Sequence, residues 1–374
     1  MMINKLTVSL ALLCFSMASA SAQTNDFLGS QFHKERRQAL RQMLPDKSVA
    51  VVFSNPVRNR ANDVDYIYHQ DPNFYYLTGH KEPHSVLLIF KEPQNIQGKK
   101  TDEVIFVRQK NALKELYEGE RLGKTKAKTM LDIAAALEGP DFINLRLDFS
   151  RFDKVIFYDF QNDVRNESEA ADLYELIESF KEKINYAPSP LSLEREPEKS
   201  NLDTKTLDSL MTLLREVKTE EEMTLLRKAI DISAIGQREV MKAMVPGMSE
   251  TEVQGMHEYI FKKYRAEYEG YPSIVGAGHN GCVLHYIENY KPSIEDGELI
   301  LMDLGAEYHG YTADVTRTIP VNGTFTPEQK TIYNLVLKAQ EAAMSVCREG
   351  TTFDEIYKAT EKVINEGLVE LGTV

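Results

Sequence analysis

Two aspartates close together in sequence carry the first chemical signal. Residues 299–321 read Leu-Ile-Leu-Met-Asp303-Leu-Gly-Ala-Glu-Tyr-His-Gly-Tyr-Thr-Ala-Asp314-Val-Thr-Arg-Thr-Ile-Pro-Val. Two apolar runs around a polar centre predict a β-hairpin. A turn centred on Tyr308-His309 sets Asp303 and Asp314 directly opposite each other, and opposed residues share a face with Cβ atoms roughly 5 Å apart. Two carboxylates that close repel unless a proton or a cation lies between them. A pair of divalent ions, with one aspartate bridging both, is one arrangement that relieves the repulsion. On spacing alone a plainer arrangement stays open, in which one aspartate faces solvent or caps the turn.

Just upstream, residues 271–289 contain Gly276-x-Gly278-x-x-Gly281 followed by Cys-Val-Leu-His285-Tyr-Ile. The glycines fit the dinucleotide fingerprint by letter, but that fingerprint needs a helix N-terminus next, and a strand-like run follows instead. The glycines therefore predict a tight loop, and His285 falls on a strand among apolar neighbours. A histidine so placed is either a packed structural residue or a proton-transfer group near the aspartates. Neither a nucleophile elbow nor a Cys-x-x-Cys pair occurs, so Ser or Cys hydrolase chemistry has no support.

These residues need elements to position them. Between Phe27 and about Ser200, short β-branched or aromatic runs at 48–53, 85–90, 103–107 and 154–158 alternate with helical stretches at 127–137 and 168–183. That pattern predicts an α/β domain with a mixed sheet over 23–200. The proline-bearing polar segment 187–199 reads as a linker or surface excursion, and 201–214 as linker. The second domain, 215–374, is punctuated by four helix starts: Thr219-Glu-Glu-Glu, Ser249-Glu-Thr-Glu, Thr326-Pro-Glu-Gln and Thr352-Phe-Asp-Glu. A shift that takes Gly247 onto Gly350 also takes Ser249 onto Thr352, Glu252 onto Glu355, Val253 onto Ile356 and Met241 onto Met344. Either two helix hairpins obey the same capping rules, or one unit of helices followed by strands is duplicated. On the second reading, Val374 maps onto Tyr271, and the second copy's strands would lie beyond it.

The chain has 374 residues, 42% hydrophobic and 27% charged, which excludes a disordered tail or a fibre and fits two domains with their own cores. A formal net charge of -13 disfavours nucleic acid and anionic membrane surfaces as partners. Three cysteines are too few for a disulfide framework. Residues 1–22 read as a secretory signal peptide: Lys5, an apolar run over 6–15, then Ala-Ser-Ala patterns at 18–22. Export, into a periplasm or to the outside of a bacterium, is the expected localisation.

The two long motifs, with Tyr66-x-x-x-Gln-Asp-Pro-Asn-Phe-Tyr-Tyr-Leu-Thr-Gly79 in the first domain and Arg215-Glu-Val-Lys-Thr-Glu-Glu-Glu at the start of the second, resemble the aminopeptidase P family of pita-bread metallopeptidases. The resemblance covers nearly all of the chain after residue 22. It implies an α/β N-terminal domain followed by an α+β pita-bread (creatinase/aminopeptidase-like) domain. It also implies metal-dependent removal of the first residue from peptides with proline second, and a homodimer or homotetramer at full length. Two divalent ions, usually Mn2+ with Zn2+ or Co2+ as alternatives, would be held in part by Asp303 as chelator and Asp314 as bridge. His285 would stand on the substrate side, aiding proton transfer or holding the scissile region.

Two departures qualify the match. The family often carries Trp where this chain has Tyr117. Its remaining ligands, one His and two Glu, come well after the second Asp, whereas none of the eight histidines here follows Asp314. The pita-bread domain is therefore expected to be incomplete within residues 215–374, and this stretch alone inactive. The rival readings are a prolidase restricted to Xaa-Pro dipeptides, and a metal-free protein that binds peptides or partners.

Overall fold

The computed structural model describes residues 26–186 and 200–373. The expected leader over 1–22 and the proline-bearing segment 187–199 lie outside the described residues. The chain divides into two compact units, Met1–Lys218 and Thr219–Val374.

In chain order the first unit runs α1 (Ser30–Met43), β1 (Ser48–Phe53), the ribbon β2 and β3 (Asn59–Ala61, Val64–Asp65), α2 (Pro72–Thr78), β4 (Val86–Ile96) and β5 (Lys99–Val107). There follow α3 (Ala112–Glu118), α4 (Gly123–Met130), β6 (Ala136–Glu138), α5 (Gly139–Ile143), β7 (Lys154–Phe157), α6 (Leu173–Lys183), β8 (Leu202–Asp203) and α7 (Thr206–Glu216). Six strands form a mixed sheet in the order β6-β5-β4-β1-β7-β8. Apolar clusters cover both of its faces. Ala50 and Val52 of β1 pack with Leu40, Phe74 and Leu131, while Val49 and Val51 pack with Phe142, Leu176 and Phe180. A strand covered on both sides reads as an unbroken apolar run, and for this reason Ser-Val-Ala-Val-Val-Phe is legible as β1. Each fully buried Val, Leu or Phe side chain contributes roughly 1.5–3 kcal/mol by leaving water. Arg37 of α1 is fully buried and donates to Glu103 at 2.8 Å, to the Leu77 carbonyl at 2.9 Å and to the Asp132 carbonyl at 2.7 Å.

Two expectations for this unit are corrected. The helix read over 127–137 stops at Met130, because Asp132 turns left-handed at φ 45°, and Ala136–Glu138 leaves the helix to pair parallel with β5. Residues 201–214 are not a linker. Leu202 and Asp203 add β8 beside β7, and α7 buries Leu207 and Met211 in the first core. The Tyr76 hydroxyl donates to the Leu214 carbonyl at 2.9 Å, which ties the end of α7 to the same unit. The period of Leu207, Leu210, Met211 and Leu214 is that of an amphipathic helix.

In the second unit all four predicted caps form. Thr219, Ser249, Thr326 and Thr352 each close a capping box, opening α8 (Glu220–Ala243), α9 (Glu250–Lys263), α10 (Pro327–Val346) and α11 (Phe353–Glu370). Each cap contributes about 1 kcal/mol. The shift from Gly247 to Gly350 carries the last residue of α8 onto the last of α10, and the first of α9 onto the first of α11. Both glycines are left-handed, at φ 96° and 86°. The helix half of the repeat is thus a structural correspondence. Between the pairs lie β9 (Tyr268–Glu269), β10 (Ile274–Ala277), β11 (Leu299–Asp303), β12 (Ala306–Tyr308), β13 (Tyr311–Thr312) and β14 (Thr316–Pro320), arranged as two three-stranded sheets, β10-β11-β14 and β13-β12-β9.

The two helix pairs differ in burial. On α8, Leu225, Ala229, Ile232 and Val240 are buried, whereas α10 buries only Ala339 among its described residues and α11 none. Val336 and Met344 of α10, with Phe353 and Tyr357 of α11, stay exposed, Phe353 at 90%. A face of that kind promotes association. Residues 23–374 expressed alone are therefore expected to self-associate as concentration rises. A single monomeric species in sedimentation velocity at every concentration would contradict this.

Candidate metal centre

Asp303 ends β11, where alternation is strict: Ile300 and Met302 are fully buried, while Leu299, Leu301 and Asp303 are only partly covered. Asp303 therefore stands on the open face of its sheet. β11 pairs antiparallel with β14, with Asp303 opposite Thr316, and β12 pairs with β13, with Tyr308 opposite Tyr311. The turn is centred on His309-Gly310, one residue beyond the expected position. His309 at φ 53° and Gly310 at φ 86° are both left-handed, as a two-residue type I′ turn requires. Continuing that register places Asp314 opposite Gly305, so the aspartates are diagonal neighbours on one face and not directly opposed. The preference for glycine in primed turns was the signal in the sequence that separates the two registers.

Tyr271 joins the pair. Its hydroxyl lies 2.5 Å from Asp303 Oδ1 and 3.3 Å from Asp314 Oδ1, so one donor proton serves two carboxylates. Burial, reinforced by both aspartates, pushes this phenol far above the ordinary tyrosine value. Gly305 makes the approach possible. A Cβ there would fall 1.6 Å from the Ala313 carbonyl oxygen and 3.2 Å from the Tyr271 ring.

Helix α8 braces the hairpin from below. The Gln237 amide donates to the carbonyls of Met302 at 3.1 Å and Val315 at 3.0 Å, the residues flanking Asp303 and Asp314. Ser233, one turn earlier, accepts from Ala306 N at 2.9 Å. Both were legible only as polar interruptions at i, i+4 on the apolar face of α8, a pattern that marks side chains bonding buried backbone. At the turn, Glu267 accepts from the His309 backbone at 2.9 Å and lies 2.6 Å from its Nδ1. Burial pushes the Glu267 carboxyl up, but the contacts with His309 outweigh it and hold the group below its usual range.

His285 is placed otherwise than expected. Residues 278–282 form a short 3-10 turn, and His285 follows in an exposed turn, not on a strand. The expected tight glycine loop is present. A Cβ on Gly276 would meet the backbone of Asn280 and Gly281 at 2.8 Å, and Gly278 is left-handed at φ 56°. A chain folded back so closely cannot continue as a ladder. The structure thus brings Asp303 and Asp314 together through Tyr271 and sets His285 on a separate loop.

The donor chemistry suits a divalent ion in part. Carboxylate oxygens on an open face are ligands for Mn2+ or Zn2+, but such an ion takes about four to six donors. Among the described residues, no group of three or more His, Cys, Asp or Glu side chains is arranged to hold a metal ion.

The chain thus has two units, with the paired aspartates in the second. Residues 224–373 match the model of metallopeptidase family M24, and residues 33–145 match the aminopeptidase P N-terminal domain. The chain is 33% identical to the Xaa-Pro aminopeptidase of Escherichia coli strain K12, over 92% of this chain and 74% of that protein. It is similar to the solved aminopeptidase of Pseudomonas aeruginosa, with a TM-score of 0.80 and 31% identity over 93% of this chain and 74% of that one. It is also similar to a zinc-substituted E. coli aminopeptidase P in complex with product, with a TM-score of 0.76 and 31% identity over 93% of this chain and 75% of that one. The chain belongs to the aminopeptidase P family of M24 metallopeptidases.

Proposed function

We infer that the protein is an Xaa-Pro aminopeptidase, a metal-dependent exopeptidase that releases the first residue from peptides with proline second. The observation that carries this is the likeness to an Xaa-Pro aminopeptidase along 92% of the chain, together with two aspartates on one face that share a tyrosine proton. Asp303 and Asp314 would hold the divalent ions, probing Mn2+ first and Zn2+ or Co2+ next. Metal of this kind lowers the pKa of bound water so that hydroxide is available at neutral pH. Tyr271 orients both carboxylates through its hydroxyl, and Gln237 and Ser233 fix the backbone that bears them. His285, on its exposed turn, is the residue we assign to proton transfer or to holding the scissile region. A substrate with proline second lacks the N–H that ordinary peptidases bond and has a fixed φ, which calls for a dedicated pocket.

Three further points belong to the same proposal. Residues 1–22 act as an export signal, with a periplasmic or secreted destination; no helix among the described residues is long and apolar enough to cross a membrane. The active protein is a homodimer or homotetramer. Two aspartates do not by themselves satisfy two ions, each of which takes about four to six donors, so further ligands would complete the centre.

The protein expressed from its whole gene and loaded with Mn2+ is expected to release Xaa from Xaa-Pro-Yaa and to leave Xaa-Ala-Yaa nearly untouched, read by chromatography of the products. Cleavage confined to Xaa-Pro dipeptides would make it a prolidase. Absence of cleavage with metal bound would overturn the assignment.

A further inference from the structure

Glu250 is the first residue of α9 and is fully buried. Its carboxylate is filled by four donors, all from one segment of chain. Oε1 accepts from Ala277 N at 2.7 Å and Asn280 Nδ2 at 3.0 Å; Oε2 accepts from the Tyr286 hydroxyl at 2.9 Å and Lys291 N at 2.8 Å. The Glu250 N–H in turn donates to the Lys291 carbonyl at 3.0 Å. A buried carboxylate is tolerated when its lone pairs are occupied in this way. One side chain thus ties together the two ends of the loop that carries His285.

A second tie lies beside it. Asn289 is 1% exposed and left-handed at φ 54°. It accepts from Val275 N at 2.9 Å, donates to Gln254 at 2.8 Å and to the Ser273 carbonyl at 3.0 Å, and its own carbonyl accepts from Thr251 at 2.8 Å. Between these anchors the loop is open, with Leu284 at 89% exposure and Val283, His285 and Ile287 exposed with it. The neck of the loop is hydrogen-bonded and buried, while its tip is presented to solvent.

We propose that Glu250 is the positioning residue for His285, holding the loop neck so that the imidazole is offered in one geometry. This rests on the assignment of His285 to the reaction. The chemistry is specific to a carboxylate. Ala277 N and Lys291 N donate to opposite oxygens, and only an acceptor at both ends answers two backbone N–H groups. A glutamine would point its amide donors at one of them.

Glu250→Gln tests this in the Mn2+-loaded protein expressed from its whole gene. The expected result is a kcat for Xaa-Pro-Yaa lowered by about tenfold or more, the scale set by misplacing a reacting group. KM should change far less, and the amides of Ala277 and Lys291 should exchange faster with solvent. In a His285→Ala background, Glu250→Gln should cost little further, because its effect passes through the imidazole. Wild-type kcat in Glu250→Gln, or losses that combine in full in the double variant, would overturn the proposal. If the wild type cleaves no Xaa-Pro peptide, the functional reading fails separately. The tie is then decided by amide exchange and the His285 imidazole resonances, and unchanged spectra in Glu250→Gln refute it. Should Glu250→Gln not fold, Glu250→Asp, which keeps the charge but withdraws it by one methylene, takes its place with the same readouts.

Discussion

Asp314→Asn is expected to abolish peptidase activity in the protein expressed from its whole gene and to lower its metal content. On the proposed assignment Asp314 would be shared by two cations, so replacing it with an amide would weaken the whole centre. Loss of an outer partner to a metal ligand already lowers affinity or activity by about 10–100-fold, and loss of a bridging ligand should exceed that. The fold should survive. Asp314 is exposed, and the shorter Tyr271 contact, at 2.5 Å, is to Asp303. Metal analysis and a thermal scan on the same sample separate the two effects. Two ions per chain in Asp314→Asn would remove the residue from the metal centre.

Gly305→Ala should do the opposite, leaving every proposed ligand in place and destroying the frame. The added methyl would meet the Ala313 carbonyl oxygen at 1.6 Å, a backbone atom that cannot swing aside. Overpacking that forces side chains and backbone to shift usually costs about 1–3 kcal/mol, and more where nothing can yield. Here the strand segment after Asp303 would have to separate from the one before Asp314. The expected outcome is insoluble protein, or a thermal midpoint lowered by many degrees. Soluble Gly305→Ala with an unchanged midpoint would show that the hairpin yields where the geometry says it cannot.

Helix starts were the most legible part of this chain, because capping is a local device. Thr219, Ser249, Thr326 and Thr352 announce themselves within four residues, and each opens its helix. The central strands of the first unit were equally plain, since burial on both faces leaves an unbroken apolar run. Register was harder. The aspartate pair was put on one face, but its pairing hung on whether the turn centred before or after His309, and Gly310, which a primed turn favours, was the clue that separates the two. The loop around His285 misled because its apolar residues are exposed at the tip, and alternation on an exposed loop imitates a strand. Tyr271 and Glu250 were not legible, and Gln237 only as a polar interruption of an apolar helix face, because each acts on chain brought to it by the fold. The segment 201–214 was misassigned as linker; its apolar period was present in the sequence, next to a proline-rich stretch that drew the boundary too early.

The helical hairpin α10–α11 has a bearing on how this chain folds and opens. The two helices are neighbours in sequence and pack on each other, with Leu335 of α10 against Gly367 of α11, while much of their remaining apolar surface is open. Contacts of such short sequence separation form quickly, and they break without disturbing a sheet assembled from distant strands. The hairpin should therefore behave as a separate cooperative segment with an opening free energy below that of either β-rich core. Probes on α11 and on β1 would then report different transitions along one denaturant titration, and no single midpoint describes the stability of this chain.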